Sequence, residues 1–192
     1  MSFLSMLGLF GEQKVASNLG PDNVHRPVHH SEIIVLQAML TRPADTTNYA
    51  AGDAIGEAGN VVFEFNFGAL GLPAGFITHA RLIREDTAAT APRFVAHIHD
   101  ALPATLPVGD NAAHPLLWAN RASRRGLIDF AAARASDAAG GTCLEYGGVL
   151  STSTGGIPFV AADGRVRAVL TTRDAFTPGS AKGYLLELGA VA

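Results

Sequence analysis

The sequence predicts an all-β protein, an antiparallel sandwich or a barrel, and three observations support this. Residues 61–67 alternate, with Val61, Phe63, Phe65 and Phe67 on one face. Successive side chains of a strand point to opposite sides, so this run is typical of a half-buried strand. Short apolar runs separated by Gly, Pro, Asn and Asp recur along the chain, and helical periodicity is scarce. Many short strands punctuated in this way indicate a sandwich or barrel.

Eight strands are predicted in chain order. The first, residues 32–40, is a continuous apolar run, which we expect to be buried on both faces. In residues 74–84 we expect the even-numbered side chains from Phe76 to Leu82 on one face and the odd-numbered ones from Ile77 to Ile83 on the other. The other strands are predicted at residues 61–67, 93–99, 127–130, 156–160, 165–172 and 183–188.

Two segments carry weak helical signals. Residues 112–122 can hold one or two turns, and residues 131–139 form a loop or a short surface helix, since they lack an apolar stripe. Trp118 is expected to anchor the core or an interface. The neighbouring basic pair, Arg124 and Arg125, is expected in a solvated loop or a local ion pair, and the loop is also a candidate contact surface.

Residues 1–31 differ from the rest and are predicted to form an N-terminal arm ahead of one domain, residues 32–192. The arm begins with an apolar tip and continues as a polar tether in which Pro21 and Pro27 disfavour a long helix. We expect the tip to dock on a neighbouring subunit or to fold back on its own domain, and favour the neighbour. The tip residues are Phe3, Leu4, Met6, Leu7, Leu9 and Phe10.

Composition narrows the function classes. Charged residues are 16% of the 192 residues, against about 25% in a typical domain. Such a surface suits extensive contacts with other chains, although genome composition offers another explanation. The net charge of −3 and the lack of a basic block disfavour nucleic-acid binding. The apolar N-terminal run is too short to span a membrane and has no preceding positive charge, so a soluble protein is expected. The single cysteine, Cys143, excludes an intrachain disulfide.

His97 and His99 are the sharpest candidates for chemistry. Two histidines spaced by one residue on a strand share a face, as in the metal sites of cupins. The cupin pattern also needs a glutamate a few residues later, and none appears before Glu145, although His79 or His114 could supply a further ligand. The apolar side chains of this run lie on the opposite face. We therefore expect both histidines to point outward, on a polar or inter-subunit face. No nucleophile elbow, phosphate loop or carboxylate pair is recognisable, and no metal or cofactor is expected.

Several segments resemble structural proteins of tailed bacteriophages. The segments are TRPADTTNYAAGDAIGE, GFITHARLIRE, DNAAHPLLWANRASRRGLIDF and AFTPGSAKGYLLEL, and the likeness covers about residues 38–190. The resemblance implies a small β-sandwich decoration, or cement, protein. Such proteins sit on the capsid exterior, often as trimers at the threefold positions between capsomers. The shared motifs are turns and strands without catalytic meaning.

The combined expectation is a non-enzymatic antiparallel β-sandwich of jelly-roll type with an extended arm. It would be made in the host cytoplasm, form a homotrimer and stabilise the virion by binding the major capsid protein across capsomers. The expected contact residues are Phe3, Leu4, Met6, Leu7, Leu9, Phe10, Trp118, Arg124 and Arg125. One alternative is another virion component, such as a head-fibre base or a tail-associated glycan-binding sandwich. The other is a cupin-like metalloprotein that uses His97 and His99.

Overall fold

The computed structural model describes residues 16–19, 25–28, 32–85, 91–107, 109–115, 117–135, 143–152 and 155–192. The chain divides into two units, Met1–Glu32 and Ile33–Ala192. In the first, strands β1 (Ala16–Leu19) and β2 (His25–Val28) pair antiparallel, with Ala16 opposite Val28. The expected contact residues of the apolar tip lie outside the described residues.

The second unit contains two antiparallel sheets, which confirms the all-β prediction. Its described strands are β3 (Ile34–Thr41), β4 (Val62–Asn66), β5 (Ala74–Arg84), β6 (Phe94–His99), β7 (Arg124–Phe130), β8 (Ala133–Ala135), β9 (Leu144–Gly147), β10 (Val149–Leu150), β11 (Ile157–Val160), β12 (Arg165–Thr172) and β13 (Gly183–Val191). Two short 3-10 helices, Gly68–Leu70 and Trp118–Asn120, interrupt the loops. None of the described helices is long and apolar enough to cross a membrane.

One sheet has five strands in the order β10-β7-β6-β12-β4. The other has six, in the order β3-β13-β5-β9-β8, with β11 also paired to β5. The long strand β5 pairs with two strands along one edge: β11 lies beside Ala74–Ile77, and β9 lies beside Arg81–Arg84. Inward side chains of both sheets, among them Phe63, Phe94 and Leu186, form one buried cluster. This arrangement is consistent with a β-sandwich.

All eight predicted strands are present. Five short strands were missed, namely β1 and β2 in the first unit and β8, β9 and β10 in the second. β8, β9 and β10 are two to four residues long and lack a clear alternating pattern. Ala133–Ala135, where a loop or surface helix was expected, pairs with β9 instead. In the described part of residues 112–122, the helical structure is one short 3-10 turn, Trp118–Asn120. The missed strands of the second unit form because β5 and β7 offer edges to pair with, which local sequence does not reveal.

Two predicted strands face differently from what their patterns suggest. β3 was expected to be buried on both faces, but it lies at the edge of the six-stranded sheet, and Val35 and Met39 are 48% and 64% exposed. In β5 the pairing with β13 shifts register between Gly189 and Ala190. The shift is a β-bulge, which adds one residue to β5 and reverses the facing of the side chains before it. Ile77 is therefore buried with Ala80 and Leu82, while Phe76 is exposed.

Candidate interaction surfaces

A buried charged network holds the loops over the outer face of the five-stranded sheet. The Arg42 and Asp110 side chains are 0% and 4% exposed, with Arg42 Nη2 3.3 Å from Asp110 Oδ2. Asp110 Oδ1 accepts hydrogen bonds from the Tyr49 hydroxyl and, at 2.9 Å, from the Gly56 N–H. Burial and the contact with Asp110 raise the pKa of Tyr49, so its hydroxyl stays protonated and donates.

The same arginine reaches two further loop segments. Arg42 donates to the Tyr49 hydroxyl at 3.1 Å, to the Gly179 carbonyl at 2.9 Å and to Asp45 Oδ1 at 3.0 Å. Each buried donor is thereby paired, which is the condition for a buried charge to be tolerated. Arg42, Tyr49 and Gly56, all within the segment TRPADTTNYAAGDAIGE, therefore anchor the loops.

His97 and His99 lie under these loops. Both are on the face of β6 opposite the main core, as expected, but the expectation of an outward polar face is wrong because they are only 7% and 1% exposed. The rings of His97 and His114 make an edge-to-face contact with centroids 4.8 Å apart. The loop that carries His114 contributes to this burial, and two further loop residues, Ala54 and Val61, pack with Val62 and Val169 in a second apolar cluster.

The histidines are held in their neutral forms. His97 Nε2 lies 3.1 Å from Thr171 Oγ1, and His99 Nδ1 lies 3.1 Å from Ser123 Oγ. Burial, with the positive field of His114 and Arg124, lowers the pKa of His97 to about 3 and that of His99 to about 4. Among the described residues no group of three or more His, Cys, Asp or Glu side chains is placed to hold a metal ion.

Trp118 projects into solvent from a fixed loop. Its side chain is 77% exposed, which excludes the core role considered for it. The Arg121 guanidinium carbon lies 4.4 Å from the centroid of its ring. Buried Asn120 donates to the Thr105 carbonyl at 2.7 Å and accepts from the Thr105 N–H at 3.1 Å, which ties this loop to the loop after β6. The result is a rigid aromatic platform, which we call the Trp118 platform (Leu117–Arg121).

The two expected contact arginines do not form a joint basic patch. Arg125 pairs with Asp100, whose side chain is 3% exposed and which also accepts from the Val160 N–H at 3.1 Å. Arg124 lies opposite His99 in the β6–β7 pairing and is half-buried. Arg125 is therefore part of a local ion pair, one of the two roles considered for it, and Arg124 borders the histidine cluster.

No loop among the described residues covers the outer face of the six-stranded sheet, which combines a polar centre with apolar flanks. Glu187 accepts from Gln37 at 2.8 Å and from Arg81 at 3.0 Å. Burial alone would raise the pKa of Glu187, but these two donors lower it. Large apolar side chains around this centre are exposed: Ile33 57%, Val35 48%, Met39 64%, Phe76 44% and Val160 70%.

A groove of about 580 Å³ separates β3 from β4, the edge strands of the two sheets. It is lined by Gln37, Ala38, Met39, Leu40, Asn60, Val62, Phe63, Glu64, Leu102 and Leu106. Leu102, at its side, is 60% exposed. The groove is lined by both polar and apolar groups and lies beside an exposed strand edge, a setting suited to an extended polypeptide.

Sequence reasoning missed the anchor network, the β3 edge and the groove. A lone arginine in a nearly uncharged segment was the available signal for the network, but its partner Asp110 is distant in sequence. A comparison with protein-family models and a search of curated proteins find no match to this chain.

Proposed function

We propose that this protein is a non-enzymatic structural component of a tailed-phage particle, which binds the capsid exterior and stabilises the head by bridging capsomers. The proposal includes assembly as a homotrimer and contact with the major capsid protein. The observation that carries it is the Trp118 platform: a tryptophan 77% exposed on a loop fixed by buried hydrogen bonds. Exposed tryptophan on a rigid support is costly in water and typical of interface hot spots.

The strand order supports the jelly-roll part of this proposal. β3 pairs with β13, β4 with β12, β5 with β11, and β6 with β7, all antiparallel. With β8–β10 regarded as an insertion, the first of eight strands pairs with the last, the second with the seventh, and so on inward. A long hairpin rolled into two sheets gives this nested pairing. Jelly rolls of this kind occur in viral capsid and lectin domains.

The distribution of charge also supports a binding role. Most arginines of the body are paired within the chain, for example Arg93 with Asp174, Arg167 with Glu64, and Arg173 with Asp129. Large apolar side chains remain exposed on both sheets and on the Trp118 platform. A surface of this kind offers contact area rather than long-range charge. When many symmetric copies bind, their small contact areas together give strong overall attachment.

Add-back to capsids that lack the protein tests the proposal. Purified wild-type chain should co-sediment with such heads and raise their resistance to heat or to low salt. Trp118→Ala should bind about 30-fold more weakly, the loss expected for an interface hot spot of about 2 kcal/mol. Leu70→Ala is the matched control, because Leu70 is 54% exposed on another loop. Absence of wild-type binding, or Trp118→Ala binding at wild-type affinity, would contradict the proposal.

A second variant addresses the arm. Deletion of residues 1–12 should weaken trimer formation or capsid attachment, since the apolar tip is expected to dock on a neighbour, while the body still folds. Circular dichroism verifies folding, and co-sedimentation measures attachment. Full occupancy by the truncated protein would show that the arm has no such role.

A further inference from the structure

Strand β3 presents an unprotected edge. Within the described part of the second unit it pairs only with β13, and all eight of its residues follow a regular register. Its sequence, IVLQAMLT, contains no charged residue and no proline. Natural sheets usually protect such an edge with a charge, a proline or a bulge, because a free edge pairs readily with another strand. β3 has none of these protections.

The hydrogen-bonding pattern identifies which main-chain groups face outward. The Arg42 N–H donates to the Lys182 carbonyl at 3.1 Å, so this pair, which continues the β3–β13 register, is a hydrogen-bonded one. Hydrogen-bonded pairs alternate along an antiparallel ladder. Leu40, Ala38 and Leu36 therefore bond to β13, and the N–H and C=O groups of Val35, Gln37 and Met39 point to the free edge.

The other edge beside the groove, β4, is protected. Its first residue, Val62, donates its N–H to Asn60 Oδ1 at 2.9 Å and accepts at its carbonyl from Asn60 Nδ2 at 3.4 Å. The next residue with the same facing is Glu64, whose side chain is 42% exposed and charged. The Asn60 side-chain amide thus takes the place of a neighbouring strand at Val62, and the Glu64 carboxylate beside it is held in ion pairs with Arg165 and Arg167. The contrast makes β3 the edge that is open to pairing.

We infer that β3 pairs antiparallel with β3 of a second copy across a twofold axis at Gln37. In this register Gln37 faces the partner's Gln37, and Val35 faces the partner's Met39. Every outward main-chain group of Val35, Gln37 and Met39 gains a partner, and apolar side chains lie opposite apolar ones. A shift by two residues would place the polar Gln37 amide opposite the apolar side chain of the partner's Met39, which is less favourable.

Charge and shape both favour a second copy as the occupant. Because β3 is uncharged, twofold pairing places no like charges opposite each other. The partner's inward-facing Leu36 and Ala38 would lie over the groove of about 580 Å³, beside Leu40 and Leu102. The pairing covers Val35 and Met39, the two exposed apolar side chains of β3. It joins two single chains or two trimers equally well, so it does not depend on the proposed capsid attachment.

Two double variants, which differ only in the sign of the charge at position 39, test both the contact and its register. Val35→Lys with Met39→Lys sets lysine against lysine twice across the twofold axis. Val35→Lys with Met39→Glu changes the same positions but sets lysine against glutamate twice. Sedimentation and native mass spectrometry over a wide concentration range then compare the masses of both variants with the wild type. Val160→Lys controls for loss of an exposed apolar side chain elsewhere, since Val160 is 70% exposed.

The expected result is a wild-type particle with twice the mass of the Lys/Lys variant. The Lys/Glu variant and Val160→Lys should keep the wild-type mass, with association of the Lys/Glu variant at least about tenfold tighter than that of the Lys/Lys variant. Thermal unfolding should show that both double variants are folded. A wild type that is monomeric at all concentrations, or two double variants with equal mass, would overturn the inference.

Discussion

The outer faces of the two sheets both carry polar and apolar side chains, but these are buried on one face and exposed on the other. Over the five-stranded sheet, loops anchored by Arg42 and Asp110 bury His97 and His99 with a second apolar cluster. Over the six-stranded sheet no such loop is present among the described residues, and Val35 and Met39 remain exposed around a polar centre at Glu187. The comparison shows that the covered face contributes to stability, whereas the open face is available for contacts.

Loss of the anchor should have the largest effect. In Asp110→Ala, the buried Arg42 keeps Asp45 as its remaining carboxylate partner, and the Gly56 N–H and the Tyr49 hydroxyl both lose their acceptor. We expect the free energy of unfolding to fall by about 3–5 kcal/mol, as for other broken buried ion pairs. Urea unfolding measures the change. Asp174→Ala, which breaks the exposed pair with Arg93, should cost under about 1 kcal/mol, and equal losses in the two variants would refute the anchor role.

Acid should weaken the covered face next. The pKa values of about 3 for His97 and about 4 for His99 lie below the value of about 6.5 that the unfolded chain has. Below that pH the unfolded chain takes up protons that the folded chain does not. Stability is therefore fully present above about pH 6.5 and falls by about 1.4 kcal/mol per pH unit for each histidine as the pH drops toward the folded values.

Unfolding free energies between about pH 6.5 and 4.5 measure this slope. The lower limit keeps the measurement above the pH at which carboxylates such as Asp174 take up protons. The hydrogen bond with Arg93 lowers the pKa of Asp174 to about 2, so its contribution to the free energy of unfolding is lost only in stronger acid. Replacing both His97 and His99 with Gln should remove most of the slope and leave the share of His114, whose pKa burial also lowers. An unchanged slope in the double variant would show that other groups cause the pH dependence.

A matched pair of valines gives the smallest and most direct comparison. Val169 lies on the covered face and is 0% exposed, whereas Val35 lies on the open face and is 48% exposed. Val169→Ala should lower the free energy of unfolding by about 2 kcal/mol, and Val35→Ala by no more than about 0.5 kcal/mol. Denaturant unfolding at low protein concentration keeps association out of the measurement. Similar losses at both sites would mean that the open face is covered in solution.

The sequence predicted the strands well because strand formation depends on local alternation. Phe94, Ala96 and Ile98 were expected on one face, and all three are 0% exposed in the main core. Phe63, Phe65 and Phe67 likewise entered the core, while Val61 joined the second cluster instead. The candidate surfaces were less predictable. Trp118 was singled out, but its exposure depends on the Asn120–Thr105 contact between two loops.

By itself, the sequence determined that this chain folds into antiparallel sheets and where its main strands lie, with ends up to three residues away from those observed. Only the tertiary structure decided which apolar runs became edges and which polar side chains became buried. The sequence of β3 is typical of a central strand, but β3 has a single neighbour in its sheet. The sequence of β6 is typical of a half-exposed strand, but its histidines are buried beneath distant loops. The physical reason is that alternation is a property of neighbouring residues, whereas edge position and coverage arise from pairing between segments far apart in the chain.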